Sequence, residues 1–358
     1  MFYQLFRSII FLQDPEKAHE RVIRLGKFFG ENNLTNFLKT LFNYEDPRLN
    51  SNVCGIDFKN PIGLAAGFDK NAVFTEFIEG LDFGFEEIGS ATFEGGGGNE
   101  KPRLFRLVKD NAIINRMGLN NHGAHEINKN LTNRKSKIPI GVNIAKTHSP
   151  KIMGDKAIKD FSDSYKTMTE GDYLVLNVSC PNTLEGKTFE DPGALRELLA
   201  EINSLRISYG DTRPLFAKLS SDVDNELSGI LQVCEDEGIG GYVLSNSSSK
   251  RESLRTSQKI LKQIGMGGLS GKPIREKSTK IISRVYQETK KPIIGVGGIF
   301  TGEDAYDKIK SGAVVLELLT GLIYEGPWIT KKINKGLVKL LEREGFKNIS
   351  EAVGVYHK

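Results

Sequence analysis

The 358-residue chain has few cysteines, no long apolar run and almost no excess of either charge. Its three cysteines, Cys54, Cys180 and Cys234, are odd in number and far apart. That argues against a disulfide framework or a zinc site and fits a reducing compartment. Against 45 acidic residues stand 49 basic ones, a net charge of +4, too even for a dedicated nucleic-acid binder. No segment approaches the roughly 20 apolar residues that a bilayer crossing needs. The start, MFYQLFRSIIFLQDPE, lacks the apolar core and small-residue cleavage site of a signal peptide. Glycine, by contrast, is abundant at 38 residues and concentrates after apolar runs, where backbone must approach something closely. The length fits about two domains or one α/β barrel, with a core large enough to need no staples.

Asp14 is placed to cap a helix with Pro15 at its first position, and Ala18, Val22, Leu25 and Phe29 then repeat at helical spacing. Asn33 opens a second short piece carrying Leu34, Phe37, Leu38 and Leu41, and Phe2, Phe6 and Ile9 add an apolar face before the cap. Residues 1–45 therefore read as two small helices with apolar faces, ending at Glu45-Asp46-Pro47. Two uses fit such faces. The simpler is packing on the main domain; the other is an amphipathic pair that dips into a membrane surface.

Beyond residue 50 a short apolar strand, a polar or Gly-rich loop and an amphipathic helix recur. Strands are expected at 61–67, 85–92, 138–144, 173–180, 214–219, 241–246, 292–299 and 314–320. Their apolar runs are continuous rather than alternating, as strands buried on both faces require. Helices fall between them, for example at 192–209, 223–237 and 301–310. Eight such units predict an α/β fold of the (β/α)8 TIM-barrel type over residues 46–358, preceded by the helical extension. Two long connections, 94–137 and 247–272, are expected to carry function.

In a barrel the chemistry sits at the C-terminal strand ends. Those ends carry Lys70, Ser90, Asn143, Asn177, Cys180, Asn182, Lys218, Ser245, Asn246 and Ser247, with Asn115 in the long loop. Amide side chains both donate and accept, so the asparagines suit a planar ligand with alternating C=O and N–H edges. The lysines supply charge for a carboxylate, a phosphate or an electron-rich ring. Gly297-Gly298 and Thr320-Gly321 stand where a barrel commonly holds a phosphate on backbone N–H groups, although GVGGI also suits a plain tight turn. It is no dinucleotide fingerprint, because Phe300 takes the place of the third glycine.

These residues lie in long motifs. GLAAGFDKN (63–71), KPRLFRL (101–107), INRMGLNNHG (114–123), LNVSCPNT (176–183), GGLSGKP (267–273) and IIGVGGI (293–299) resemble dihydroorotate dehydrogenase in order and spacing. FLQDPEKAHE (11–20) resembles the helical extension of class 2, the membrane-associated, quinone-using branch. The resemblance implies an FMN flavoprotein that oxidises dihydroorotate to orotate in pyrimidine synthesis. By the same resemblance Ala66, Gly67, Phe68, Asp69, Lys70, Ser90, Asn143, Asn177, Lys218, Ser245, Gly271, Gly298, Leu319 and Thr320 match flavin-contacting positions. Lys70, Asn115, Arg116, Met117, Gly118, Leu119, Asn177, Asn182, Asn246 and Ser247 match substrate-contacting positions, and Cys180 falls on the catalytic base. Arg106 and His19 match positions that line the quinone tunnel. No metal and no nucleic acid is implied. With the family motif beginning almost at Met1 and no transit-like leader, the expected home is peripheral, on the cytoplasmic face of a bacterial membrane.

The sequence departs from the class 2 pattern at three places. Cys180 stands where class 2 members carry Ser and the soluble class 1 enzymes carry Cys, which leaves a soluble acceptor such as fumarate or NAD as an alternative. A barrel that binds FMN and a pyrimidine without turnover is a second alternative. FEGGGGN (93–99) replaces a Pro- and Gln-containing stretch and reads as a very flexible loop. Leu319 replaces an aromatic residue, at a place where backbone N–H contact to a phosphate would survive. Cys54 and Cys234, expected on an early strand and a helix, read as structural, as do His122 and His125.

Overall fold

The computed structural model describes residues 2–179, 189–223 and 225–358, so Cys180, Asn182 and the loop after the fourth expected strand lie outside the described residues. Three helices come first: α1 (Phe2–Phe11), α2 (Pro15–Glu31) and α3 (Thr35–Phe42). The strands follow as β1 (Ser51–Val53), β2 (Ile56–Phe58), β3 (Ile62–Leu64), β4 (Phe85–Ala91), β5 (Leu104–Leu107) and β6 (Ala112–Asn115). Then come β7 (Ile140–Ile144), β8 (Tyr173–Asn177), β9 (Leu215–Leu219), β10 (Gly241–Leu244), β11 (Gly268–Gly271), β12 (Ile293–Val296) and β13 (Val315–Leu318). Eight of them close a parallel barrel in the order β3-β4-β7-β8-β9-β10-β12-β13. The fold is the expected (β/α)8 barrel.

Each barrel strand falls inside its expected run, but most are shorter. The missing residues, such as 65–67, 245–246, 297–299 and 319–320, leave the ladder at the C-terminal mouth and line the cavity described below. Apolar sequence there is loop wall rather than strand. Helix Pro192–Tyr209 matches its expected bounds, whereas the helix expected at 223–237 is Leu227–Asp236.

Alternation along the strands separates an inner from an outer wall. Outward residues such as Ile62, Ile88, Ile140, Leu174, Leu219 and Leu316 pack against the surrounding helices. Inward residues Phe85, Tyr173, Phe216, Val243 and Val315 plug the barrel floor, which the β1–β2 hairpin closes from below through Val53 and Phe58. Cys54 sits in the hairpin turn with φ of 53°, not on a strand, because the two-residue turn consumes it. Cys234 is on its helix and buried.

The two long connections are not open loops. Each contributes strands to one antiparallel sheet, ordered β11-β6-β5, over the mouth. Leu107, Ile114, Leu261, Ile264 and Leu269 give that sheet its own small core. The glycine run is also more ordered than its composition suggests. Gly96 exchanges backbone hydrogen bonds with Asn121 at 2.9 and 3.2 Å, and the Arg103 guanidinium bonds to the carbonyls of Gly97 and, at 2.7 Å, Asn99. Gly98, at φ +72°, is packed where a Cβ would run into the Met117 carbonyl and come within 2.8 Å of Arg103.

The N-terminal region holds three helices, not two, because Phe2–Phe11 forms a helix of its own. Asp14 caps α2 as expected, accepting from the N–H groups of Glu16 and Lys17 at 3.0 and 2.9 Å. One side of this region docks on the barrel through Ala18, Leu38 and Phe42, and Gly26 lets α2 approach Phe74 so closely that a Cβ would sit 2.6 Å from its ring. The opposite side does not pack. Leu5, Phe6, Ile9, Leu12, Leu25, Phe28, Phe37 and Leu41 are exposed, Leu12 to 87 %. Val22 and Leu25, expected on the packed stripe with Ala18, instead border the cavity. Packing on the main domain therefore accounts for only half of these apolar faces. No helix among the described residues is long and apolar enough to cross a membrane.

Candidate functional site

A cavity of about 420 Å³ runs from between α1 and α2 to the barrel mouth. Tyr3, Ile10, Phe11, Pro15, Ala18, His19, Val22 and Leu25 form its outer end. At its inner end stand Ala66, Gly67, Phe68, Lys70, Ser90, Asn177, Lys218 and Ser245. Gly271, Gly298, Leu319 and Thr320 wall one side; Asn115, Met117, Gly118, Leu119, Asn246 and Ser247 wall another. Residues expected from distant motifs, such as 63–71 and 293–299, thus meet around one space. Gly298, Leu319 and Thr320 arrive from the ends of β12 and β13, as the barrel reading requires.

Three expected residues do not reach the cavity with their side chains. Asp69 turns back to accept from the backbone N–H groups of Asn71, Val73 and Phe74 at 2.9–3.1 Å, shaping the loop that presents Lys70. Burial lifts its carboxyl to about 6 despite those donors. Arg116 points away, because it follows Asn115 at the end of β6 and strand alternation sends it outward. Its guanidinium lies over Phe105 and donates to the carbonyls of Pro102, Ile264 and Met266. Asn143 is fully buried one layer below the cavity.

Asn143 is nevertheless tied to the site. Its Nδ2 donates to Glu87 Oε1 at 2.8 Å, and its Oδ1 accepts from Asn177 Nδ2 at 3.4 Å. Asn177 also donates to Ser90 Oγ at 3.0 Å and accepts from Asn246 Nδ2 at 3.2 Å. Asn246 in turn takes the Ser247 N–H at 2.8 Å. Amides from β7, β8 and the end of β10 therefore form one chain with fixed donor and acceptor directions. An amide chain of this kind is pre-set for a ligand with complementary edges.

Two cations serve this space. Lys70 is half-buried, lines the cavity and has no hydrogen-bond or ion-pair partner among the described residues. Burial pulls it down to about 8, with the Glu16 carboxylate pulling the other way. Lys218 is 4 % exposed and meets Glu87 Oε1 at 2.6 Å and Glu317 Oε2 at 3.7 Å. Burial opposes its charge, but the two carboxylates prevail and hold its pKa above the ordinary lysine value. Glu87 and Glu317 were not anticipated. Their signal was an acid at an inward position of each of two buried strands, FEEIGSA and VLEL.

At the outer end His19 Nε2 lies 2.8 Å from the Phe68 carbonyl. A carbonyl only accepts, so Nε2 carries the proton. Burial, with Lys70 nearby, lowers the ring to about 4 and keeps it neutral. Arg106 lies over the Phe11 ring at 4.6 Å and donates to the carbonyls of Phe11 and Gln13 at 3.3 and 2.8 Å, joining β5 to the α1–α2 corner. A second unanticipated link joins α2 to the glycine run: Arg103 pairs with Glu16 at 2.7 and 3.2 Å, both side chains buried.

Comparison with known proteins gives the family. The family model described as dihydroorotate dehydrogenase matches residues 48–341. Dihydroorotate dehydrogenase (quinone) of Natronomonas pharaonis is 41 % identical over 355 residues, covering 99 % of both chains. That of Gloeobacter violaceus is 39 % identical over 356 residues, covering 98 % of both. The crystal structure of the Eimeria tenella enzyme with ferulenol superposes with a TM-score of 0.84 at 34 % identity, covering 96 % of each chain. The chain belongs to the dihydroorotate dehydrogenase family, among its class 2 members.

Proposed function

We propose that the protein oxidises (S)-dihydroorotate to orotate in pyrimidine synthesis, with bound FMN and a membrane quinone as successive electron acceptors. The observation that carries this reading is the continuity of the cavity, polar and amide-lined within the barrel, apolar between α1 and α2. One end suits a flat anionic pyrimidine and a flavin, the other a hydrophobic acceptor.

The inner donor set fits FMN. Ser245 Oγ is buried beside the cavity without a partner among the described residues, and Lys218 is a buried cation beneath it. The backbone at Gly271, Gly298, Leu319 and Thr320 would hold the phosphate, and Ser90, Asn177, Lys218 and Ser245 the ring. When bound, FMN supplies the hydride acceptor. Lys70 pairs with the substrate carboxylate, the charge it otherwise lacks a partner for. Asn115, Asn177, Asn182 and Asn246 orient the ring by its amide edges, and the backbone of 116–119 closes over it. Cys180, by its place in the motif, removes the proton from C5 as general base. A thiol ionises near 8.5 unperturbed and is the easier group to activate than a serine hydroxyl.

Residues 1–45 act as the membrane and quinone-access unit, and residues 46–358 as the catalytic barrel. His19 and Arg106 supply polar contacts in the apolar outer end, where a quinone carbonyl would need them. The exposed side of α1–α3 lies in the interface of the membrane on its cytoplasmic face. This apolar side favours the quinone over a soluble acceptor, since fumarate or NAD needs no such surface.

The test is the visible flavin absorbance of the purified protein, anaerobically, before and after dihydroorotate. Prompt bleaching is expected, followed by recovery of colour when a short-chain quinone is added. A bound flavin that stays oxidised would overturn the substrate assignment, and recovery with fumarate but not quinone would overturn the acceptor.

A further inference from the structure

The barrel layer directly under the cavity holds three charged side chains where small or apolar ones are usual. Glu87 on β4, Lys218 on β9 and Glu317 on β13 all point inward, and both carboxylates are fully buried. Below them lies the aromatic plug of Phe85, Tyr173 and Phe216. Above them stand Asn177 and Ser245 at the cavity. Glu87 and Glu317 are shut off from solvent, and of the three only Lys218 borders the cavity, so their charges weigh on one another first.

They do not balance if all three are ionised, since two carboxylates and one ammonium leave a net negative charge. The pattern of contacts locates the imbalance. Glu87 Oε1 is doubly engaged, by Lys218 Nζ at 2.6 Å and Asn143 Nδ2 at 2.8 Å, as an ionised oxygen would be. Glu317 reaches Lys218 only at 3.7 Å, and neither of its oxygens meets a donor among the described residues, which leaves the adjoining Glu87 carboxyl as the group it can share a proton with. Glu87 Oε2 is likewise without one. Two buried carboxyl groups with unmet acceptors on either side of one cation are a pair that shares a proton. Burial and the neighbouring Glu87 both push Glu317 well above the ordinary carboxyl range. The Tyr173 hydroxyl, also buried and without a partner, faces the same two acids and is raised by burial and by their charge. Asp172 and Glu86 act on that hydroxyl from farther off. No other charged group offers to neutralise Glu317.

We propose that Glu317 is protonated and donates to Glu87, so that Glu87, Glu317 and Lys218 form a neutral unit that fixes the Lys218 ammonium under the flavin site. Glu87 and Glu317 are positioning residues: they set where the ammonium sits and how much of its charge reaches the cofactor. Without the proton on Glu317 the layer would present a net negative charge, opposing the charge that a reduced flavin acquires. With it, the ammonium is held in place and its field at the cavity is not overcompensated. The role toward the flavin rests on the proposed function; the proton on Glu317 does not.

Infrared spectroscopy of the full-length holoenzyme in H2O and D2O tests the proton directly. Glu317→Gln is expected to remove one protonated-carboxyl C=O band at pH 7, separate from that of Glu86, whose full burial also pushes its carboxyl well above the ordinary range. The same variant is expected to leave the flavin midpoint potential unmoved, because a neutral amide replaces a neutral acid. Lys218→Met is expected to add a protonated-carboxyl band, since the carboxyl pair loses the cation that balances its one charge. An unchanged carboxyl region in Glu317→Gln, or a raised midpoint potential, would show that Glu317 was ionised and overturn the proposal. Should Glu317→Gln fail to fold, Lys218→Met still decides: no added band overturns it. A protein that binds no flavin would fail the proposed function yet leave the infrared result readable.

Discussion

The barrel interior and the N-terminal helices depart from ordinary burial in opposite directions. In the barrel, Glu87, Lys218 and Glu317 are ionisable and buried. In the N-terminal helical region, Leu5, Phe6, Ile9, Leu12, Phe28 and Phe37 are apolar and exposed. Nine of the seventeen large apolar side chains exposed among the described residues fall within the first 42 positions, so the exposure is a concentrated face and not scatter. Buried charge is costly unless something needs it, and a large apolar face is costly in water unless something covers it. On the proposed function each region is completed by a non-protein neighbour: a charged, amide-edged ligand inside the barrel and a lipid surface outside the helices. The cavity joins the two.

The largest expected effect breaks the barrel side alone. Cys180→Ala should slow flavin reduction by dihydroorotate roughly 10²- to 10⁴-fold, the usual contribution of a positioned base. Flavin content and vesicle binding should be unchanged; stopped-flow absorbance and co-sedimentation report the two separately. An unaffected rate would make Cys180 structural. Next is Lys70→Met, which removes the cation without a partner. A hydrogen bond to a charged group is worth about 1.5–3 kcal/mol, so the KM for dihydroorotate should rise roughly 10- to 100-fold. The pH profile sharpens this. Lys70 in the free protein titrates near 8, below its ordinary value, so its charge is present below pH 8 and lost above it. Wild-type KM should climb as pH passes about 8, while Lys70→Met should show no such climb. Stability moves the other way: between about 8 and the ordinary lysine value the unfolded chain binds the extra proton, so stability gained from relieving the buried charge rises with pH.

Much of the barrel was legible because its signals are local. Strand–loop–helix units repeat, Asp14-Pro15 and Asp191-Pro192 are caps with their own chemistry, and both open helices where expected. The mouth was legible because a barrel gathers strand ends whatever their separation, which is how Lys70, Asn177 and Ser245 could be placed together in advance. What stayed hidden depends on contacts between distant segments. The β11-β6-β5 sheet is built from two connections more than 150 residues apart, and a four-residue strand in a polar stretch gives no periodic signal. The Glu16–Arg103 pair joins α2 to the glycine run by tertiary packing alone. Val22 and Leu25 show the limit from the other side. Their helical spacing with Ala18 was correct, yet a stripe tells which residues are apolar and not what covers them.

The next effect breaks the helix side. Deleting residues 1–45 would be a poor instrument, because it uncovers Phe74 and Phe77 along with the membrane face. Leu5→Glu, Phe6→Glu and Phe37→Glu act on exposed positions that the core does not use. Burying a Leu or Phe side chain is worth about 1.5–3 kcal/mol, so each change should weaken partition onto vesicles roughly tenfold or more. Bleaching by dihydroorotate should be untouched in all three. Binding that survives the triple variant would mean that the face is covered by something other than lipid.

The smallest effect lies at the junction. Gly97 and Gly98 are neighbours in the run that Arg103 and Glu16 tie to α2, and they differ in what an added methyl would meet. At Gly97 a Cβ finds open space and the backbone is not left-handed, so Gly97→Ala should be neutral or gain about 0.4–1 kcal/mol by restricting the unfolded chain. Gly98 has φ of +72° and a Cβ there would strike the Met117 carbonyl, so Gly98→Ala should lose stability and displace the strip that borders the cavity. Thermal melts with KM for dihydroorotate read both effects. If the run were merely flexible, the two substitutions would behave alike. A difference between them means that the glycine run is a fitted joint, through which the docking of α2 bears on the geometry of the substrate wall.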